Sequence, residues 1–289
     1  MRAAAMLIGI GVLWGLSFTL SRLIVGGGAH PVSVAFLHAV MGCAGLSALG
    51  FRPRRDGASL RFYAIAGLTG TALPSVLVLV AAQHVAAGVL SVCMAMAPIL
   101  CLAFCAALGV ERFEARRAAG LAAGLAAVGL IAAPGGTAPT LWALLAVAAA
   151  ASYAGEEVYI AVRRPPDAHP FALLAGMQGA AALYLAPLWL ASGAPWPLSG
   201  AWSAAEAAFF LKLVGDMLAY GGFVALIGLS GPIFASQVAY VVVASGVGWG
   251  VMVLGERHPD GFWLALALMA AGLALTLPQP RRKGIDPAG

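Results

Sequence analysis

Apolar residues fill most of the chain in ten long runs, separated by short polar segments. The runs cover approximately residues 4–25, 31–50, 62–82, 87–108, 118–133, 141–162, 170–191, 205–229, 232–254 and 261–277. A helix of about 20 residues crosses the roughly 30 Å of hydrocarbon in a bilayer, and in lipid only helices and closed barrels satisfy their own backbone. The pattern predicts an all-α integral membrane protein with ten transmembrane helices.

Glycine and proline mark the breaks between several runs. Ala133-Pro134-Gly135-Gly136 and Ser230-Gly231-Pro232 are typical of turns, so we expect helices to end there. The first run resembles a secretory signal peptide, but it is too long and no clear cleavage site follows it. We therefore interpret it as a retained first span.

Composition and charge placement agree with a membrane protein. The chain is 62% hydrophobic and 9% charged, whereas soluble domains carry about 25% charged residues. An N-terminus inside the cell would place 13 of the 16 basic residues on the inner side. We expect a bacterial-type cytoplasmic (inner) membrane with both termini cytoplasmic. The four cysteines lie inside apolar runs, so we expect no disulfide, no metal and no cofactor.

One short motif occurs twice, half a chain apart. Glu111-Arg112 and Glu256-Arg257 each follow a long apolar run. Five spans per half is an odd number, so the halves must face opposite ways. This predicts two inverted five-helix repeats, residues 1–137 and 138–289, around a central cavity. Glu111 and Glu256 are expected at the membrane edge, where each would bond the N-terminal amides of the next helix.

Further motifs occur in a specific order. They are Trp14-Gly15-Leu16-Ser17-Phe18, Pro98 followed by Leu108-Gly109-Val110-Glu111-Arg112, Tyr153-Ala154 with Arg163-Arg164, and Leu254-Gly255-Glu256-Arg257. The chain thereby resembles the drug/metabolite transporter superfamily, in its ten-helix exporter branch, and is similar to bacterial exporters of aromatic and other amino acids. The resemblance implies a cavity lined by helices one, three, four, six, eight and nine. The chain departs from the family pattern at His38, where Arg is common, and at Val243, where Pro is common.

Ionisable residues inside spans are the first candidates for function, because they are costly in lipid. Lys212, Asp216 and Tyr220 share one face of the eighth helix. Asp216 would contact a substrate ammonium group or carry a proton. The alternative is a structural Lys212–Asp216 pair, with Lys212 extending outward to the membrane surface.

Glu156 and Glu157 lie in the sixth helix, where adjacent residues point about 100° apart. Only one of them can therefore face the cavity. The other is expected to pair with a basic group such as Arg163 or Arg22. Asp216, Glu156, Glu157 and His38 are the candidates for proton coupling. For His38 a satisfied buried imidazole is the simpler interpretation.

Aromatic and polar residues on several spans suit a small-molecule cavity, although plain helix packing would also explain them. The candidate cavity residues are Trp14, Ser17, Phe18, Met94, Tyr153, Glu157, Asp216, Tyr220, Gln237 and Tyr240. Gly120 and Gly124 in the fifth helix allow close helix approach, with a dimer contact as one use. Glycines of the ninth helix would also ease helix motion.

These observations predict export of small metabolites, above all amino acids including aromatic ones, by alternating access. Export of cationic or hydrophobic drugs is the alternative, since the same carboxylates and rings suit them. An intramembrane protease is a remote alternative: Ser230 lies in a Gly-x-Ser-Gly segment, but His258 is expected at the opposite membrane face. A channel is a further alternative, but the sequence has no repeat that resembles a selectivity filter. A purely structural scaffold would not need ionisable side chains inside the bilayer.

We expect no enzyme activity. The expected partners are the lipid bilayer and a small-molecule substrate, with no nucleic acid, in a monomer or weak homodimer. Proton coupling and passive facilitation are both compatible with the sequence.

Overall fold

The computed structural model describes residues 2–109, 115–133, 136, 138–166, 168–195, 202–235 and 237–276. In these ranges the chain forms ten helices joined by short connections. They are α1 (Arg2–Gly26), α2 (Pro31–Ala48), α3 (Gly57–Ala82), α4 (Ala87–Ala107), α5 (Ala115–Ala132), α6 (Thr140–Arg163), α7 (Pro170–Ser192), α8 (Ala204–Ala235), α9 (Val238–Leu254) and α10 (Asp260–Thr276).

Two of the helices are not uniform. α3 contains a π-helical turn, Leu68–Ala72, between α-helical segments Gly57–Gly67 and Leu73–Ala82. α4 is interrupted at Ala95, which separates Ala87–Met94 from Met96–Ala107.

Length and apolar composition make this a multi-pass membrane protein. Among the described helices, α1 to α8 each contain a segment long and apolar enough to cross a bilayer. α9 and α10 are also apolar, but at 17 residues each they extend only about 25 Å. The predicted all-α membrane fold is confirmed.

The break predicted at Ser230-Gly231-Pro232 is wrong. α8 continues through these positions to Ala235, and α9 begins at Val238. The Ser230 hydroxyl donates to the Leu226 carbonyl one turn earlier, at 2.9 Å. A proline is tolerated in a membrane helix because hydroxyl groups and neighbouring helices satisfy the backbone that it frees, whereas an open turn in lipid leaves more groups unbonded.

Capping residues explain where several helices begin and end. Asp56 accepts a hydrogen bond from the Ser59 amide at 2.9 Å before α3, and this bond lowers the pKa of the Asp56 carboxyl. Before α8, the Ser203 amide donates to the Glu206 carboxylate at 3.1 Å, as in a capping box. α9 ends at Leu254, and Gly255, the residue after it, has a φ of +66° that favours glycine.

The main helix pairs connect the first half of the chain with the second. α1 packs along α8 and α9, α2 along α7, and α5 along α10, while α6 packs along α3 and α4, and α4 also along α9. Glycines bring α1 and α9 into close contact: the Ser245 hydroxyl donates to the Gly11 carbonyl at 2.9 Å, and a side chain at Gly15 would collide with Ser245.

The glycines of α5 face other helices of the same chain. A methyl group on Gly120 would lie 2.9 Å from the Gly272 carbonyl of α10, and one on Gly124 would lie 2.8 Å from the Met96 sulfur of α4. These two glycines therefore permit close helix approach within the chain, which agrees with the packing interpretation.

Candidate functional site

Four polar side chains from three helices meet inside the bundle. They are Ser17 of α1, His38 of α2, and Lys212 and Asp216 of α8, and we call them the Lys212 cluster. The Lys212 ammonium donates to Asp216 Oδ2 at 2.9 Å and also to the Ser17 hydroxyl. His38 Nε2 lies 3.5 Å from the same Asp216 oxygen. The Lys212–Asp216 pair of the structural alternative is therefore present, although Lys212 turns inward to Ser17 and does not extend outward.

A buried glutamine extends this cluster towards α7. Gln178 is 2% exposed, and its amide nitrogen lies 4.0 Å from the Met217 sulfur, beside Asp216. It also packs against Gly42, one turn after His38. Its carbonyl oxygen is buried without a hydrogen bond among the described residues. Gln178 was not among the residues predicted from the sequence, although a lone amide in the apolar run of α7 was a signal.

The two neighbouring glutamates of α6 have different surroundings. Glu156 is buried, at 7% exposed, whereas Glu157 is exposed and lies near Cys101 of α4. The expected pairing with Arg22 or Arg163 is wrong. Arg22 instead donates to the carbonyls at the end of α3, Ala82 at 3.0 Å and Val85 at 2.8 Å, because those groups have no helical partner.

The π-helical turn of α3 receives the Glu156 side chain. A side chain at Gly70 would collide with the Glu156 carboxyl, so the carboxyl lies directly against the backbone of the turn. The Ser152 hydroxyl, one turn earlier on α6, donates to the Thr69 carbonyl at 2.6 Å. Pro74 explains the turn, because it has no N–H for the Gly70 carbonyl four residues earlier and its ring crowds that carbonyl.

Tyr153 connects the Lys212 cluster with Glu156. Its side chain lies near Ser75 of α3 and near the carboxyl groups of both Asp216 and Glu156. Tyr220, one turn after Asp216, lies within the electrostatic range of Glu156. The structure thus brings together Ser17, His38, Tyr153, Asp216 and Tyr220 from the predicted set.

The aromatic candidates and Met94 divide into three packing groups. Trp14 lies 5.3 Å from the Phe223 ring of α8 and packs in a small cluster of α1, α8 and α9 residues. A second group packs, partly buried, against the main core. It consists of Phe18, Met94, Tyr153 and Tyr240. Tyr220 packs in a third cluster, with residues of α2 and α7. Gln237 precedes the first residue of α9. Trp14 is therefore separated from the aromatic residues with which the sequence grouped it.

The second glutamate of the repeated motif binds a helix terminus, but not the one predicted. The Glu256 carboxylate accepts hydrogen bonds from the amides of Ala87 at 2.6 Å and Gly88 at 3.0 Å. These amides begin α4, whereas the sequence predicted α10, the next helix, because the sequence does not show which helix terminus lies closest. The first glutamate, Glu111, lies outside the described residues.

A histidine lies beside this helix cap. His258 stacks on Phe262 at 3.9 Å, and its Nε2 is 3.5 Å from Glu256. Burial lowers the pKa of the His258 imidazole, although the Glu256 carboxylate opposes this. Ser230 bonds the Leu226 carbonyl instead, so the serine and histidine of the protease alternative have separate partners.

Comparison with known proteins gives one partial family match. No curated protein matches the chain. Fifteen solved chains match. One of them, a crystal structure described only as that of a protein, is 22% identical and covers 96% of this chain and 98% of its own, with a TM-score of 0.59. This likeness shows a shared fold. Residues 1–133, which carry Ser17, His38 and Gly70, match the EamA-like transporter family of the drug/metabolite transporter superfamily.

Proposed function

We propose that the chain exports amino acids, including aromatic ones, across a bacterial-type cytoplasmic membrane in which both termini are cytoplasmic. The family match over residues 1–133 supports transport. The Lys212 cluster is the observation that carries the proposal. Ionisable side chains in a bilayer cost about 2.5–3.5 kcal/mol each on insertion scales, so a bundle that gathers three of them is expected to use them.

Alternating access is the proposed mechanism. The helix pairs support two inverted repeats, residues 1–137 and 138–289, because α1 packs on α8 and α9 as α6 packs on α3 and α4. The pairs α2–α7, α4–α9 and α5–α10 each join corresponding helices. Rocking of such groups would open the Lys212 cluster to one membrane face and then to the other.

The charges suit a zwitterionic substrate. Lys212 and His38 supply two potential cations for one carboxylate, that of Asp216. A substrate carboxylate would bind on the Lys212 and Ser17 side, where the ammonium donates hydrogen bonds. Because Asp216 is already paired, the exposed Glu157 is the better candidate for the substrate ammonium group. Tyr153, one turn before Glu157, would provide an aromatic face.

Flux of radiolabelled tryptophan through the purified protein in liposomes tests this proposal, with and without a pH gradient. We expect saturable flux that other amino acids compete for, and tryptophan methyl ester should compete about tenfold more weakly because it lacks the carboxylate. Asp216→Asn should lower flux about tenfold. Asp260→Asn, at the exposed start of α10, is the matched control and should keep it.

The alternative substrate class is cationic or hydrophobic drugs. Glu156 and Glu157 favour it, because neither forms an ion pair with a basic side chain of the described residues. Suppose that the folded protein transports ethidium, that amino acids do not inhibit this flux, and that tryptophan is not transported. That result would replace the amino-acid assignment with export of drugs.

A further inference from the structure

Glu156 is a buried carboxyl without a cation. Its side chain lies in the membrane-spanning helix α6, 7% exposed, and no basic group of the described residues acts on it. Asp216, by contrast, has the usual partner of a carboxylate inside a helix bundle, because the Lys212 ammonium lies 2.9 Å from it. A buried carboxyl that has no such partner is neutralised by taking up a proton, since an isolated ion in an apolar medium costs far more.

The titratable side chains around Glu156 are acids. Tyr153 and Glu157 of α6 and Tyr220 of α8 are the titratable side chains near it, and all three are acids. Cys101 of α4 lies near Glu157. The turn of α3 that faces Glu156 contains Leu68, Thr69, Gly70, Thr71 and Ala72, none of which ionises. A second negative charge next to Glu157 would therefore be unfavourable.

The π-helical turn fits a protonated carboxyl better than a bound metal cation. The missing Gly70 side chain provides the space that the Glu156 carboxyl occupies, in direct contact with backbone. The Ser152 hydroxyl, one turn before Glu156, already donates to the Thr69 carbonyl. Hard cations need many oxygen ligands around them, and no metal-binding group of acidic, histidine or cysteine side chains occurs among the described residues.

We propose that Glu156 and the π-helical turn of α3 form a proton-binding site. The carboxyl holds a proton while α3 and α6 are in contact, and it releases the proton to water when the two helices separate. No other bond changes in this step. The inference deepens the proposed transport function, on which its physiological role rests: it makes the proton the coupled ion and selects Glu156, rather than Glu157 or Asp216, as the group that carries it.

The infrared spectrum of the protein in liposomes at pH 7 tests the site without any substrate. The carbonyl stretch of a protonated carboxyl should be present in the wild type, be lost in Glu156→Gln, and remain in Glu157→Gln. Gly70→Ala should also lose it, because the added methyl group takes the place of the carboxyl and forces Glu156 out. Gly155→Ala, next to Glu156 but with open space around it, is the matched control and should keep the band.

The outcomes separate this proposal from the transport function. A wild type without the band, or a band that survives in both Glu156→Gln and Gly70→Ala, overturns the proton site even if tryptophan is transported. Loss of the band in these two variants supports the site even if tryptophan flux is absent, in which case the amino-acid assignment alone fails. Gly70→Ala keeps the test decisive if Glu156→Gln does not fold.

Discussion

Three acidic side chains inside this bundle have three different environments. Asp216 has an ammonium partner, Glu156 lies against backbone, and Glu157 is exposed beside a thiol. From residue type alone, all three carboxyl groups would be assigned the same role. The differences come from neighbouring helices, and they determine which carboxyl can bind a cation, which can hold a proton and which is already neutralised.

At the scale of residues, the sequence predicted contacts within a helix better than contacts between helices. The spacing of four placed Lys212 and Asp216 together correctly. It did not show that His38 would join them from α2, because pairing between helices depends on tertiary packing. Arg22 was assigned to a carboxylate, but the free carbonyls at the end of α3 are also good acceptors, and sequence does not reveal their position.

The Lys212–Asp216 pair should show coupling in a double-mutant cycle. Lys212→Met leaves the Asp216 carboxylate with only His38, and Asp216→Asn leaves Lys212 with only Ser17. The double variant removes both charges and leaves neither unpaired, so its loss of free energy of unfolding in mixed micelles should be smaller than the sum of the two single losses by about 1–2 kcal/mol. Strictly additive losses would show that the pair does not interact. Ser17→Ala, which removes only a hydrogen bond, should cost about 1 kcal/mol.

At the scale of elements, the helices themselves were predicted well and their irregularities were not. A turn was expected at Ser230-Gly231-Pro232, but α8 continues, because lipid penalises open backbone more than a proline in a helix. The π-helical turn of α3 was missed. Its signal was present in the four-residue spacing of Gly70 and Pro74, since proline disturbs the carbonyl four residues before it.

The Glu256 cap should stabilise α4 from the opposite half of the chain. Glu256→Ala leaves the Ala87 and Gly88 amides without their acceptor, so the free energy of unfolding should fall by about 0.5–2 kcal/mol, as for other N-terminal caps. Arg257→Ala, the exposed neighbour, is the control and should change stability by less than about 0.5 kcal/mol. Equal losses in the two variants would contradict a capping role.

At the scale of the whole molecule, the number of helices could be predicted but their pairing could not. The helices are apolar on most faces, so no narrow apolar stripe shows which face meets which neighbour. Small residues did indicate close approach, as at Gly120, but not whether the partner was α10 or a second copy. The packing of α1 on α8 and α9 required the three-dimensional structure.

Each half of the chain should require the other half in order to accumulate as stable protein. Residues 1–137 and 138–289, expressed together as separate chains, should co-purify as one assembly, because the main helix pairs lie between them. Either half expressed alone should be degraded, since its glycine faces have no partner. Pulse-chase labelling of tagged halves measures both effects. Halves that are as long-lived alone as together would show that each is a self-sufficient bundle.

The contact between α1 and α9 cannot form until the ribosome has synthesised α9. The Ser245–Gly11 hydrogen bond joins residues 234 positions apart. Ribosomes add about 5–20 residues per second, so the glycine face of α1 remains without its partner for roughly 10–50 s after it enters the bilayer. During that interval other nascent spans can occupy the same narrow face. Biogenesis of this protein is therefore expected to depend on an insertase or membrane chaperone that shields α1 until α9 has been made.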